Sequence, residues 1–141
     1  MIQLLIIIGA FIFLILGSAH LLYIIFTNRL APRNATITSA MKKSKLVLTN
    51  ETTVWKAWVG FNSSHSLGAM FFALIYIPLC IFHFEVIEGT HWFTWLPVAF
   101  SLCYLFLAKF YWFRIPFIGI LIASLCFVIA AMMLTFGGTL N

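Results

Sequence analysis

From Ile2 to Phe26 the chain carries no charged residue, a longer run than the roughly 20 residues that cross a bilayer. Hydrocarbon offers no partner to a backbone N–H or C=O, so a run of this kind must satisfy its own backbone as a helix. Similar apolar stretches, at about 50–83, 92–110 and 115–136, repeat the constraint three times. Of the 141 residues 64% are hydrophobic and 8% charged, against roughly 25% charged in a soluble domain. The expected fold class is all-α, a polytopic membrane protein with a four-transmembrane-helix bundle in a single domain over 1–141. No basic segment precedes the first span, which is therefore expected to stay as an anchor helix.

The charges set the expected orientation. Arg29, Arg33, Lys42, Lys43, Lys45 and Lys56 lie in or beside the polar loop at about 28–49, and Lys109 and Arg114 bracket the turn between the third and fourth helices. By the positive-inside rule both loops are cytoplasmic, which makes the protein N-out/C-out and puts the acidic hairpin from His83 to His91 outside. In the long loop, Ile37, Met41 and Leu48 form the apolar edge of a short helix lying on the headgroups, or the loop is a solvated tether. Asn50 is expected to cap the second helix, with Glu51 in its first turn. Asn34-Ala35-Thr36 and Asn50-Glu51-Thr52 match a glycosylation pattern and are read as coincidences of a cytoplasmic loop. No basic segment is interleaved with stacking aromatics in an aqueous domain, so nucleic acid is not an expected partner. The expected partners are the lipid bilayer and other membrane subunits or a second copy of the chain.

Inside the second apolar run sits a polar knot, Gly60-Phe61-Asn62-Ser63-Ser64-His65-Ser66-Leu67-Gly68. At 3.6 residues per turn it divides into two faces. Gly60, Ser64 and Gly68 form a small-residue ridge that lets another helix approach closely, and Asn62, His65 and Ala69 form a polar face. Phe61, Leu67, Met70 and Leu74 are left for lipid. On the first helix Gly9, Phe13, Gly17, His20 and Thr27 share a face expected to meet protein, opposite Ile8, Ile15 and Leu22. Pro78 is expected to kink the second helix and Pro116 to sit in the first turn of the fourth, which should stop at Gly137-Gly138.

His20 precedes Arg29, and His65 follows Lys56, by nine positions each. At 1.5 Å per residue both then lie roughly 13 Å inside one membrane boundary. Ser101 and Ser124 fall near the same depth, so a polar layer of His20, Asn62, His65, Ser101 and Ser124 is expected to cross the bundle. Three readings stand. The layer is a hydrogen-bonded clamp that fixes helix register; or it is a haem or quinone site, with paired imidazoles for a metal and Gly17 and Gly68 making room for a flat ring; or it conducts a proton with a small solute.

Outside the spans His83, Glu85, Glu88 and His91 form a candidate metal quartet by residue type, though not by any recognised spacing. Cys80, Cys103 and Cys126 lie on three different predicted helices and are read as packing residues rather than a disulfide framework or metal motif. Ser64 and His65 are adjacent in sequence and so point in different directions on a helix. No acid lies within a span to orient an imidazole, and no catalytic residue is expected.

The run Trp58-Val59-Gly60-Phe61-Asn62-Ser63-Ser64-His65-Ser66-Leu67-Gly68, with Gly17-Ser18-Ala19-His20-Leu21 before it, resembles a family of small bacterial four-helix membrane proteins with GFNxSHxxG and GSxH motifs. The resemblance implies four spans and a bacterial inner membrane and carries no catalytic or binding role. The expected function is a small accessory or interaction subunit, with a membrane redox protein binding haem, metal or quinone, or a proton-coupled transporter, as the alternatives.

Overall fold

Long apolar runs that must pair their own backbone groups become long helices, and four of them dominate the computed structural model, which describes residues 1–137. In chain order the elements are α1 (Ile2–Phe26), α2 (Ala35–Lys43), α3 (Val54–Phe82), α4 (Phe84–Glu88), α5 (His91–Tyr111) and α6 (Arg114–Phe136). α1, α3, α5 and α6 are each long and apolar enough to cross a membrane, as an integral membrane protein requires. Among the described residues the β-structure is a single bridge between Lys45 and Thr53.

The helices contribute to two compact units, one of 1–16 with 70 onward and one of 17–69. In the first unit, Phe13 of α1 is the meeting point. Its ring lies 5.6 Å from Phe72 of α3, 5.4 and 5.3 Å from Phe100 and Tyr104 of α5, and 6.3 Å from Phe127 of α6, centroid to centroid. Edge-to-face and offset rings at these separations attract beyond their area of contact. Phe72 also stacks on Phe100 at 4.1 Å. Near its other end α1 meets α3 again, Gln3 Nε2 donating to the Cys80 carbonyl and Cys80 Sγ to the Gln3 carbonyl, both at 3.4 Å. With Phe13 beside Phe72, this makes the two helices antiparallel in this unit. α5 packs along α6, and α4 rests on α5.

Small residues set how closely these helices approach. Gly9 is buried, and a Cβ there would stand 2.7 Å from the Phe127 ring. One at Gly119 would stand 3.0 Å from Leu16 Cδ1. Ile8, Ile15 and Leu22, on the side of α1 read as facing lipid, are exposed.

The hairpin after α3 holds a short helix that its length had not announced. α4 turns Ile87 fully inward, where its carbonyl accepts from Thr94 Oγ1 at 2.7 Å. Gly89 N–H closes the turn on the Glu85 carbonyl at 2.8 Å.

In the second unit, α3 begins at Val54 rather than near Asn50. The Lys45–Thr53 bridge and the Val54 N–H on the Ser44 carbonyl at 3.0 Å hold 45–53 as a loop, so Asn50 does not cap the helix. Thr53 takes that role, its Oγ1 accepting from Lys56 N–H at 3.3 Å. Asn34 instead caps α2, through Thr36 N–H at 2.9 Å. The long loop is therefore partly helical. At the far end α6 stops at Gly137; Gly138, the other half of the expected stop, lies outside the described residues.

The contact at Gly9 yields a quantitative expectation. Gly9→Ala should lower resistance to unfolding in detergent by about 1–3 kcal/mol, because the buried Phe127 ring must shift to admit the methyl group. Gly60→Ala, with no heavy atom within 4 Å of the new Cβ, should change it by less than about 0.5 kcal/mol. Equal effects at the two positions in an unfolding titration would contradict the packing described.

Candidate functional site: the His20–Asn62–His65 cluster

The cluster lies in the unit of residues 17–69, between the last turns of α1 and the first half of α3. Within α3 the spacing of four residues per step stacks Trp58, Asn62 and Ser66 along one side. Asn62 Nδ2 donates to the Trp58 carbonyl at 2.8 Å, one turn back. Its Oδ1 is thereby left as the acceptor, and it meets His20 Nε2 on α1 at 3.0 Å. Because Oδ1 can only accept, His20 donates through Nε2. The amide thus selects the imidazole tautomer.

A second contact reinforces the first. Ser66, fully buried, donates from Oγ to the Asn62 carbonyl at 2.9 Å. His65, half-buried, packs edge-to-face with His20, with centroids 6.0 Å apart and planes at 70°. A single residue, Asn62, therefore accepts at two oxygens and donates at its nitrogen. Ser64 lies outside this cluster, bonded to the Phe61 carbonyl at 3.0 Å.

Of the expected polar layer, the structure brings His20, Asn62 and His65 together. Ser101 and Ser124, both buried, belong to the other unit and bond within their own helices, to Val98 O at 3.0 Å and Ile120 O at 2.8 Å. Ser66 and the Trp58 carbonyl are the cluster members the sequence reading left out, although the i, i+4 spacing from Trp58 through Asn62 to Ser66 was the available signal. Gly17 is buried on α1. Gly60, Ser64 and Gly68 are all exposed.

The other candidates assemble less. His83 Nδ1 lies 3.4 Å from Glu85 Oε1, both side chains well exposed. Among the described residues no three His, Cys, Asp or Glu side chains converge as a metal set, so the quartet of His83, Glu85, Glu88 and His91 is not gathered. Cys80 is buried, Cys126 half-buried and Cys103 exposed, all three as free thiols.

Grooves among the described residues open in the first unit. One of about 720 Å³ is lined by Ile2, Glu88 and residues of the α6 end that include Met132, Met133 and Phe136. A shallower one of about 450 Å³ runs over Leu102, Cys103, Phe106 and Leu107 of α5. His20, Asn62 and His65 line neither.

Chemically the cluster holds two imidazoles and an amide with no carboxylate, since Glu51 precedes α3 and Glu85 and Glu88 lie on α4. It can hold two helices in register. Comparison of the chain with protein-family models, with curated proteins and with solved structures returns no match.

If the His20–Asn62 bond joins the helices, the two residues must be energetically coupled. His20→Ala and Asn62→Ala should each destabilise the protein in detergent, and the double variant should lose less than their sum, by about 0.6 and at most about 1.7 kcal/mol. Nitrogen-15 spectra should place the proton of the neutral His20 ring on Nε2. Additive losses, or an Nδ1-protonated ring, would contradict the geometry.

Proposed function

We propose that the protein is a small integral membrane accessory subunit that works by helix association, not by catalysis. The observation that carries this reading is the closed cluster: Asn62 occupies His20 Nε2 and is itself fixed by the Trp58 carbonyl. A polar group so engaged acts as a clamp on helix register. The surface offered to a partner is the ridge of Gly60, Ser64 and Gly68, exposed along α3, with open space beside Gly60. A transmembrane helix, of a second copy or of another subunit, fits a ridge of small residues because the two backbones can come close.

The placement of the 8 Lys and Arg supports an N-out/C-out orientation, with the segment between α1 and α3 in the cytoplasm. The resemblance to small bacterial membrane proteins supports the bacterial inner membrane. A reporter inserted beside Lys43 should be cytoplasmic and one fused after Asn141 periplasmic. The reverse at both sites would overturn the orientation.

Association is tested in lipid. With the native cysteines replaced, Ser64→Cys should form a disulfide-linked dimer or a crosslink to a neighbouring membrane protein on oxidation. Gly60→Leu or Gly68→Leu should weaken association in proteoliposomes about tenfold, the scale of one lost close contact of about 1.4 kcal/mol. Unfolding resistance of the single chain should be kept in Gly60→Leu. A chain that stays monomeric and uncrosslinked at every protein-to-lipid ratio, and that copurifies with no membrane protein, would overturn the reading.

A second reading has one observation in its favour, the 6.0 Å separation of two imidazole rings. That is near the spacing of two axial imidazoles, each bonded at roughly 2 Å to one metal. A Soret band or stoichiometric metal in the purified protein would replace the clamp with a cofactor site.

A further inference from the structure

Between α1 and α3 the chain is built as a surface rather than a tether. Six of the 8 Lys and Arg lie from Arg29 to Lys56, with Glu51 as the one acid among them. Amid these charges Val47 is fully exposed, Leu48 is 92% exposed and Ile37 50%. Within the spans lipid accounts for exposed apolar side chains; here no span does. The segment is also fixed in shape. The Lys45–Thr53 bridge pins a loop that carries Val47 and Leu48 at its tip, next to α2, none of whose residues is buried. Two of the cations rest on rings suited to the headgroup level, Arg29 over Tyr23 at 5.1 Å and Lys42 over Trp55 at 5.4 Å.

We propose that α2 and the 45–53 loop form a docking surface for the anionic lipid of the leaflet beside them, Val47, Leu48 and Ile37 entering the acyl boundary while Lys42, Lys43 and Lys45 hold headgroup phosphates. Charge complementarity selects this occupant. A cationic rim around exposed aliphatic side chains matches a bilayer surface, which offers phosphate and hydrocarbon at adjacent depths. An acidic soluble protein would match the rim and leave the aliphatic tip in water. Each lysine near an anionic surface contributes about fivefold to its attraction, so three acting together bind about a hundredfold more tightly.

The test is amide hydrogen exchange of the full chain in nanodiscs of phosphatidylcholine, with and without a quarter of phosphatidylglycerol. Exchange over residues 35–50 should be at least about fivefold slower in the anionic discs, and the difference should shrink in high salt. Lys42→Gln/Lys43→Gln/Lys45→Gln should abolish the difference, and Val47→Ser/Leu48→Ser, with the lysines intact, should speed exchange in both discs. Lys42 touches α3 only at Trp55 in its first turn, so neither variant should perturb exchange in α6 or in α3 beyond that turn. Equal exchange of the native chain in both discs would overturn the proposal. So would a lipid dependence that survives in the lysine variant, exchange unchanged by Val47→Ser/Leu48→Ser, or the same slowing by inorganic phosphate in pure phosphatidylcholine, which would assign the site to free anions.

Discussion

In hydrocarbon a polar group that is not bonded to protein has nothing else to bond to, and this one constraint arranges the side chains of the long helices. Ser66, Ser101, Ser124 and Thr135 each turn back to a carbonyl three or four residues earlier on their own helix. A hydroxyl can do this because one donor and one nearby acceptor settle its needs. Asn62 cannot. Its Nδ2 is met by the Trp58 carbonyl in the same way, but its Oδ1 requires a donor, and a helix interior has no spare N–H to offer. The demand is passed to another helix, and His20 meets it. The bridge between α1 and α3 follows from the chemistry of an amide placed where lipid gives no alternative.

The unit containing Phe13 is held differently. There the contacts are rings and small residues: Phe13 among Phe72, Phe100, Tyr104 and Phe127, with Gly9 letting the Phe127 ring lie against the α1 backbone. Without water to drive apolar surfaces together, association depends on how closely they fit. Broad rings opposite glycine give much contact for little displacement. Phe13 can touch three other helices because it is long and rigid, so its role is geometric as well as apolar.

The existence of the four spans and the sides of α1 were legible in the sequence because charge-free length and the helical period are local properties. Ile8, Ile15 and Leu22 could be assigned outward, and Gly9 and Phe13 inward, from spacing alone. The proximity of His20, Asn62 and His65 was legible for a related reason, since equal distances from Arg29 and Lys56 make a depth comparison. Other features depended on contacts between residues distant in the chain. Nothing local marks Phe13 as a hub among 16 phenylalanines. The start of α3 at Val54 depends on the pairing of Lys45 with Thr53, which removes Asn50 from its expected cap. The small-residue ridge was visible as a pattern, but which way it faces is fixed by the polar side of the same helix.

That last dependence bears on what the cluster can become. For His20 to offer Nε2 to a ligand, it must leave Asn62, and the exposed oxygen of that amide must then find another donor. Rotating the amide does not help, because it would aim Nδ2 at His20 and turn Oδ1 toward the Trp58 carbonyl, setting two acceptors against each other. Ligand binding through His20 Nε2 therefore breaks one hydrogen bond outright and leaves a second group to be satisfied by the ligand itself. A flat, apolar ring coordinated only through its metal offers no donor for that oxygen. A ligand bearing its own N–H or O–H beside its coordinating or reacting atom does. The geometry thus discriminates among possible occupants by hydrogen-bonding capacity before shape is considered.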